Sequence, residues 1–137
     1  MIYIGIDTGT HTGIAVWSTE LKKFISIETK AIHEAMEDVL SLVAQHGTEN
    51  IFVRFEDARQ RKWIGDAGRE RLQGAGSIKR DSQIWADFLS GKGISYAAVP
   101  PKANRTKMKP EAFKKYTGWS SRTSEHSRDA AMLVFGI

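Results

Sequence analysis

The chain has 137 residues, of which 41% are hydrophobic, and these figures predict a single domain over residues 1–137 with its own core. The absence of cysteine excludes a disulfide framework and a thiolate zinc site, and favours a cytoplasmic location. A net charge of +4, from 20 Lys and Arg against 16 Asp and Glu, favours a polyanionic partner. Because no apolar run has membrane-spanning length, we expect no membrane partner.

The first part of the chain is predicted to form three antiparallel strands. Isoleucine alternates with smaller or polar residues over positions 2–7, and this period of two is typical of a strand that ends at Asp7. The glycine-rich stretch 8–13 predicts a turn. Ile14–Trp17 and Phe24–Thr29 are predicted as the second and third strands, and the short links between them favour hairpins.

A helix and a buried strand are predicted next. Apolar residues recur at helical spacing over 32–43, and Gly47 is expected to end this helix. The nearly continuous apolar run 51–55 predicts a buried strand that ends in Glu56 and Asp57. The following stretch, 58–77, has four glycines and five arginines or lysines, and it predicts a mobile loop or arm.

The last part of the chain continues the alternation of helices and strands. A helix over 78–89 should bury Trp85, and Ile94–Val99 should form a fifth strand. A short helix is predicted from Pro110 to Gly118. Glu125–Phe135 is predicted as the final helix, with Ser124 or Thr123 as its cap.

This order of elements predicts an α/β fold. Helix-bearing links before the fourth and fifth strands are long enough for parallel crossovers. We therefore expect a mixed five-stranded sheet, with three antiparallel strands followed by two parallel ones, flanked by helices.

Acidic residues are expected to meet at one edge of this sheet. Asp7 ends the first strand and Glu56 the fourth, so parallel neighbours would bring both carboxylates to the edge where ligands bind in such folds. His126 and Asp129, three residues apart, share a face of the final helix. Oxygen ligands favour Mg²⁺ or Mn²⁺, and four ligand groups could hold two ions for phosphodiester hydrolysis.

For two members of this set the sequence leaves an alternative residue open. Asp57 would replace Glu56 if the strand were shifted by one residue, and Glu125 competes with His126. The part played by His126, as ligand, base or bystander, is open as well.

The chain resembles the RuvC family of Holliday junction resolvases. The resemblance lies in Ile4–Gly9 with Gly13–Ala15, in Phe55–Asp57, and in the His-x-x-Asp-Ala pattern of His126–Ala131. It implies a ribonuclease H-like fold and a crossover junction endodeoxyribonuclease that uses Mg²⁺ or Mn²⁺, with two ions per site. It also implies a homodimer that acts on branched DNA such as a four-way junction. The metal and catalytic residues would be Asp7, Glu56, His126 and Asp129.

Three further expectations accompany the resemblance. The chain ends soon after the helix that carries Asp129, as in phage and prophage resolvases that cut several kinds of branched DNA. A nuclease like the YqgF group, acting on RNA, is an alternative within the same fold. A nuclease-inactive protein that only binds junctions is an alternative of another class.

Two basic stretches are predicted to bind nucleic acid. The first follows Glu56 and combines cations, which neutralise phosphates, with an aromatic side chain that can stack on an unpaired base; its residues are Arg59, Arg61, Lys62 and Trp63. The second follows the fifth strand and contains Lys102, Arg105 and Lys107. Lys102 or Lys107 is the best candidate to approach the scissile phosphate. The helix 78–89 is a candidate dimer surface.

Overall fold

The computed structural model describes residues 1–60, 69–101 and 107–137, with the backbone alone at 69–75 and 78. The strands are β1 (Ile2–Asp7), β2 (His11–Ser18), β3 (Lys23–Ala31), β4 (Ile51–Glu56) and β5 (Tyr96–Val99). The helices are α1 (Ile32–His46), α2 (Arg69–Gly91), α3 (Pro110–Thr117) and α4 (Glu125–Met132).

The five strands form one mixed sheet in the order β3-β2-β1-β4-β5. Strands β1, β2 and β3 are antiparallel neighbours, whereas β4 pairs in parallel with β1 and with β5. Helices α1 and α2 provide the crossovers into the two parallel strands. The predicted sheet of three antiparallel and two parallel strands, flanked by helices, is therefore confirmed.

Because successive side chains of a strand point to opposite faces, the hydrophobic core is divided between the two faces of the sheet. One face carries the β1 isoleucines and β4 residues such as Phe55, packed against α1 and α2, where Trp85 is fully buried. The other face carries Ala15 and Trp17 of β2, packed against α4 and against Phe113 of α3. Asp7 directly follows Ile6 in β1, and Glu56 directly follows Phe55 in β4. Since successive side chains of a strand point to opposite faces, both acids lie on the face that α4 covers.

The predicted turn at 8–13 is wrong in its second half, because β2 begins at His11 rather than at Ile14. Thr12 donates a hydrogen bond from its hydroxyl to the Gly9 carbonyl at 2.8 Å, which closes the turn within fewer residues. His11 already pairs with Ala31 of β3. The turn between β1 and β2 is therefore shorter than the predicted turn at 8–13.

The predicted loop at 58–77 is wrong from residue 69 onward, where α2 is already helical. The glycines at 74 and 76 suggested a break, but a helix tolerates an interior glycine at a cost of about 1 kcal/mol. Two other ends differ as well. Ile94 donates its amide to Leu89 and closes α2, so β5 begins only at Tyr96. The final helix ends at Met132, three residues before Phe135.

Candidate active site

Two acidic side chains lie side by side at the carboxyl-terminal edge of the parallel strands. Ile6 of β1 is opposite Phe55 of β4, so the next residues, Asp7 and Glu56, are neighbours across the strand pair. The Asp7 side chain is only 20% exposed. The sequence predicted this juxtaposition from the two strand ends.

Asp57 lies on the opposite face from Glu56. Its amide continues the ladder by donating to the Val99 carbonyl at 2.8 Å, so the alternation of a strand extends through it. Its buried carboxylate accepts hydrogen bonds from Nε and Nη2 of Arg59, at 2.8 and 3.0 Å, and from Gln60 at 3.2 Å. Burial raises the pKa of Asp57, but these hydrogen bonds outweigh it and the net pKa is lowered. Glu56, not Asp57, therefore shares a face with Asp7.

Helix α4 lies directly on the backbone of β1 and β2. A Cβ atom added at Gly5 would stand 2.0 Å from the Ala130 carbonyl oxygen, and one added at Gly13 would stand 2.0 Å from that of His126. Only glycine leaves room for this approach. Gly13 is also the pairing partner of Asp7, so the contact brings the helix to the level of the acidic edge.

The start of α4 is fixed by a reciprocal cap. Ser124 accepts a hydrogen bond from the Ser127 amide at 3.1 Å, and the Ser127 hydroxyl accepts one from the Ser124 amide at 2.9 Å. The Ser124 hydroxyl also hydrogen-bonds the hydroxyl of Thr29 on β3. Of the two caps that the sequence allowed, the structure has Ser124.

The helix delivers an imidazole and a third carboxylate to the acidic edge. His126 Nδ1 lies 2.8 Å from Asp7 Oδ2, and the His126 side chain is 51% exposed. Burial is the main reason that the pKa of Asp7 is raised to about 6; the charges of Asp129 and Glu56 add to the increase, while His126 opposes it. Burial likewise raises the pKa of Asp129. The Asp7 carboxylate is thus close enough to Glu56 and Asp129 to be affected by the negative charge of both.

One end of the second basic stretch reaches this site. The Lys107 amide donates to Asp129 Oδ1 at 2.9 Å, which fixes one oxygen of that carboxylate. Arg59, from the first stretch, directs its guanidinium to Asp57 and to Gln83 of α2. The remaining predicted nucleic-acid contacts lie outside the described residues; they are Arg61, Lys62, Trp63, Lys102 and Arg105.

The donor set suits a hard divalent cation in its chemistry. It consists of carboxylate oxygens and one imidazole. Burial, and to a smaller extent the charges of Asp129 and Glu56, raise the pKa of Asp7 and so disfavour its ionised form, which a bound cation would stabilise. Among the side chains that the structure describes, no three of His, Asp or Glu already converge closely enough to hold one ion. The site fits a metal by charge and ligand type, and its side chains would have to close around the ion.

No family model and no curated protein matches the chain. Among solved structures, it is similar to T. thermophilus RuvC in complex with a Holliday junction substrate, with a TM-score of 0.60 and 17% sequence identity over 97% of this chain and 89% of that one. The fold is ribonuclease H-like. At this identity the likeness confirms the predicted fold class. Among the helices in the described part, none is long and apolar enough to cross a membrane.

Proposed function

We propose that this chain is a metal-dependent endodeoxyribonuclease that cuts four-way junctions or other branched DNA by phosphodiester hydrolysis. The supporting observation is the close approach of α4 to β1 and β2 at Gly13 and Gly5, which brings His126 and Asp129 to the edge that holds Asp7 and Glu56. T. thermophilus RuvC, which has the same fold, binds a Holliday junction.

We assign Asp7, Glu56 and Asp129 as the carboxylate ligands of Mg²⁺ or Mn²⁺, two ions per site, with His126 as the fourth group. Metal ions in such a site activate the attacking water and stabilise the leaving 3′ oxygen. His126 orients the Asp7 carboxylate through Nδ1, and the Lys107 amide orients that of Asp129. Asp7 is partly buried, which keeps its carboxylate away from bulk water. Its charge therefore acts more strongly on nearby groups than it would in water.

The positive charge of the chain would hold the DNA backbone near this edge. Lys107 lies directly beside Asp129, so the basic stretch to which it belongs would track the strand to be cut. A homodimer would present two such sites to two symmetrically placed strands of a four-way junction. Ile84, which is 42% exposed on α2, is a candidate for the dimer contact.

The proposal is tested by incubating a labelled synthetic four-way junction with the native chain and with Asp7→Asn, in Mg²⁺ and then in Mn²⁺. Glu37→Gln is the matched control, because it removes a carboxylate from the exposed face of α1, across the sheet from α4. We expect paired nicks from the native chain and from Glu37→Gln. Asp7→Asn should bind the junction but not cut it.

Parallel substrates separate the alternatives. Duplex and flap DNA measure how selective the enzyme is for junctions, and RNA substrates test the YqgF-like activity. Preferential cleavage of RNA would replace the proposal with that activity. Tight, salt-sensitive junction binding without nicks in either metal would instead identify a nuclease-inactive junction-binding protein.

A further inference from the structure

Arg128 stands next to Asp129 on α4, and its side chain is almost completely buried. The residue is 8% exposed. A guanidinium keeps its charge at any physiological pH, so burying it is costly unless its N–H groups are well satisfied. Nε donates to the Met108 carbonyl at 2.7 Å, and Nη1 donates to the carbonyl and the hydroxyl of Thr123, each at 3.0 Å. All three acceptors are neutral oxygens, which indicates that the arginine holds backbone in place.

The segment that Arg128 holds is the one that contacts Asp129. Lys107 donates its amide to Asp129 Oδ1, and the next residue, Met108, accepts from Arg128. Consecutive residues of α4 thus hold consecutive residues of the preceding segment.

Lys107 has a left-handed backbone with φ 61. A residue with a side chain adopts this conformation only where its surroundings enforce it. The two hydrogen bonds, at the Lys107 amide and at the Met108 carbonyl, restrain the Lys107–Met108 pair at both ends.

We propose that Arg128 is a positioning residue that holds the turn at Lys107 and Met108 against α4 and so orients the Asp129 carboxylate. The inference rests on the proposed nuclease function for its catalytic consequence, while the contact itself does not depend on that function. Without the guanidinium, the turn would relax from its left-handed backbone and the Lys107 amide would leave Asp129. The carboxylate would then sample orientations that do not support cleavage, and a misplacement of about 1 Å can lower a rate on the order of 100-fold.

The first test measures hydrogen exchange at the Lys107 amide by NMR. In Arg128→Met, which keeps most of the side-chain volume, we expect protection of this amide to fall at least about tenfold. The Gly118 amide, bonded to the Lys114 carbonyl at 2.8 Å at the end of α3, serves as an internal reference and should not change. A folded Arg128→Met protein that keeps its Lys107 protection would overturn the proposal.

The second test separates positioning from DNA binding by kinetics. We expect kcat for junction nicking to fall about 10- to 100-fold in Arg128→Met, with KM for DNA within about twofold of the native value. Arg128→Lys keeps the charge but donates from a single nitrogen, so it should recover only part of kcat. Lys92→Met, which removes an exposed cation before β5, at the opposite sheet edge, is the control and should leave kcat unchanged.

The outcomes of the two tests are distinguishable. A rise in KM at unchanged kcat would make Arg128 a DNA-binding or merely structural residue and overturn the proposal. If Arg128→Met did not fold, Arg128→Lys would carry both measurements. If the native chain cut no substrate, the proposed function would fail, and the exchange of the Lys107 amide would still decide whether Arg128 holds the turn.

Discussion

Replacing Asp7 by asparagine should stabilise the metal-free protein at neutral pH, although it removes the central carboxylate of the site. The pKa of Asp7 is raised from 3.8 to about 6 in the folded chain, mainly by burial. A tenfold change in an acid dissociation constant corresponds to about 1.4 kcal/mol, so the ionised carboxylate costs the folded state about 3 kcal/mol above pH 6. Asparagine has no charge to bury and keeps an oxygen that can accept from His126.

The sign of the pH dependence follows from the direction in which the pKa moves. Because the folded pKa is the higher one, the folded chain binds more protons than the unfolded chain between about pH 4 and pH 6. The contribution of Asp7 to stability is therefore present below pH 4 and is lost as the pH rises through about 6. In a chain of this size, about 3 kcal/mol corresponds to a difference in Tm on the order of 10 °C.

The assay is thermal unfolding in EDTA, followed by circular dichroism over a series of pH values. We expect Asp7→Asn to melt well above the native chain at about pH 7.5 and close to it at about pH 4. Asp57→Asn is the matched control with the opposite sign, because the pKa of Asp57 is lowered by its hydrogen bonds. It should be less stable than the native chain at neutral pH, and the gap should close as the pH falls through that lowered pKa.

Two results would refute this reasoning. An Asp7→Asn protein no more stable than the native chain at about pH 7.5 would show that Asp7 is not electrostatically destabilising. A gain in stability that persisted unchanged at about pH 4 would show that the gain does not arise from the ionised carboxylate.

Three further predictions concern the same site. Gly13→Ala should push α4 outward by roughly 1.4 Å to restore van der Waals contact, and should lower the cleavage rate on the order of 100-fold. The control Gly91→Ala has nothing near its added Cβ and should cut junctions normally. Native-like cleavage by Gly13→Ala would contradict this packing. Mg²⁺ or Mn²⁺ should raise the Tm of the native chain but not that of Asp7→Asn, as calorimetry with and without metal will show, and an equal change in both would place the ion elsewhere. Ser124→Ala removes the α4 cap and should lower the free energy of unfolding, measured by urea titration, by about 1 kcal/mol. An unchanged free energy of unfolding would mean that Thr29 and Ser127 hold the start of α4 without the Ser124 hydroxyl.

Much of the fold could be predicted from the sequence because each strand carries a strong local signal. The alternating isoleucines of β1 and the apolar run of β4 determine which residues are buried, and thereby the strand ends at Asp7 and Glu56. The left-handed glycine at position 118 ends α3 where the sequence placed it. The lengths of the links predicted which strands run antiparallel and which run parallel, whereas the order β3-β2-β1-β4-β5 is known only from the structure.

The remaining features depend on contacts between distant parts of the chain. The choice between Glu56 and Asp57 needed the ladder hydrogen bond to Val99, which sets the alternation beyond the strand. Gly5 and Gly13 could be quoted as parts of a motif, but only the packing of α4 shows that a Cβ would strike its backbone. The buried state of Arg128 was also hidden, since an arginine between a serine and an aspartate is usually exposed.

The most direct test of the candidate site is anomalous diffraction from crystals of the native chain soaked in Mn²⁺, with Asp7→Asn crystals as the comparison. We predict anomalous density among Asp7, Glu56 and Asp129 in the native chain, and its loss in the variant. Mn²⁺-dependent cleavage in solution, without Mn²⁺ at these carboxylates in the crystal, would contradict the proposed metal site and place the catalytic centre elsewhere in the chain.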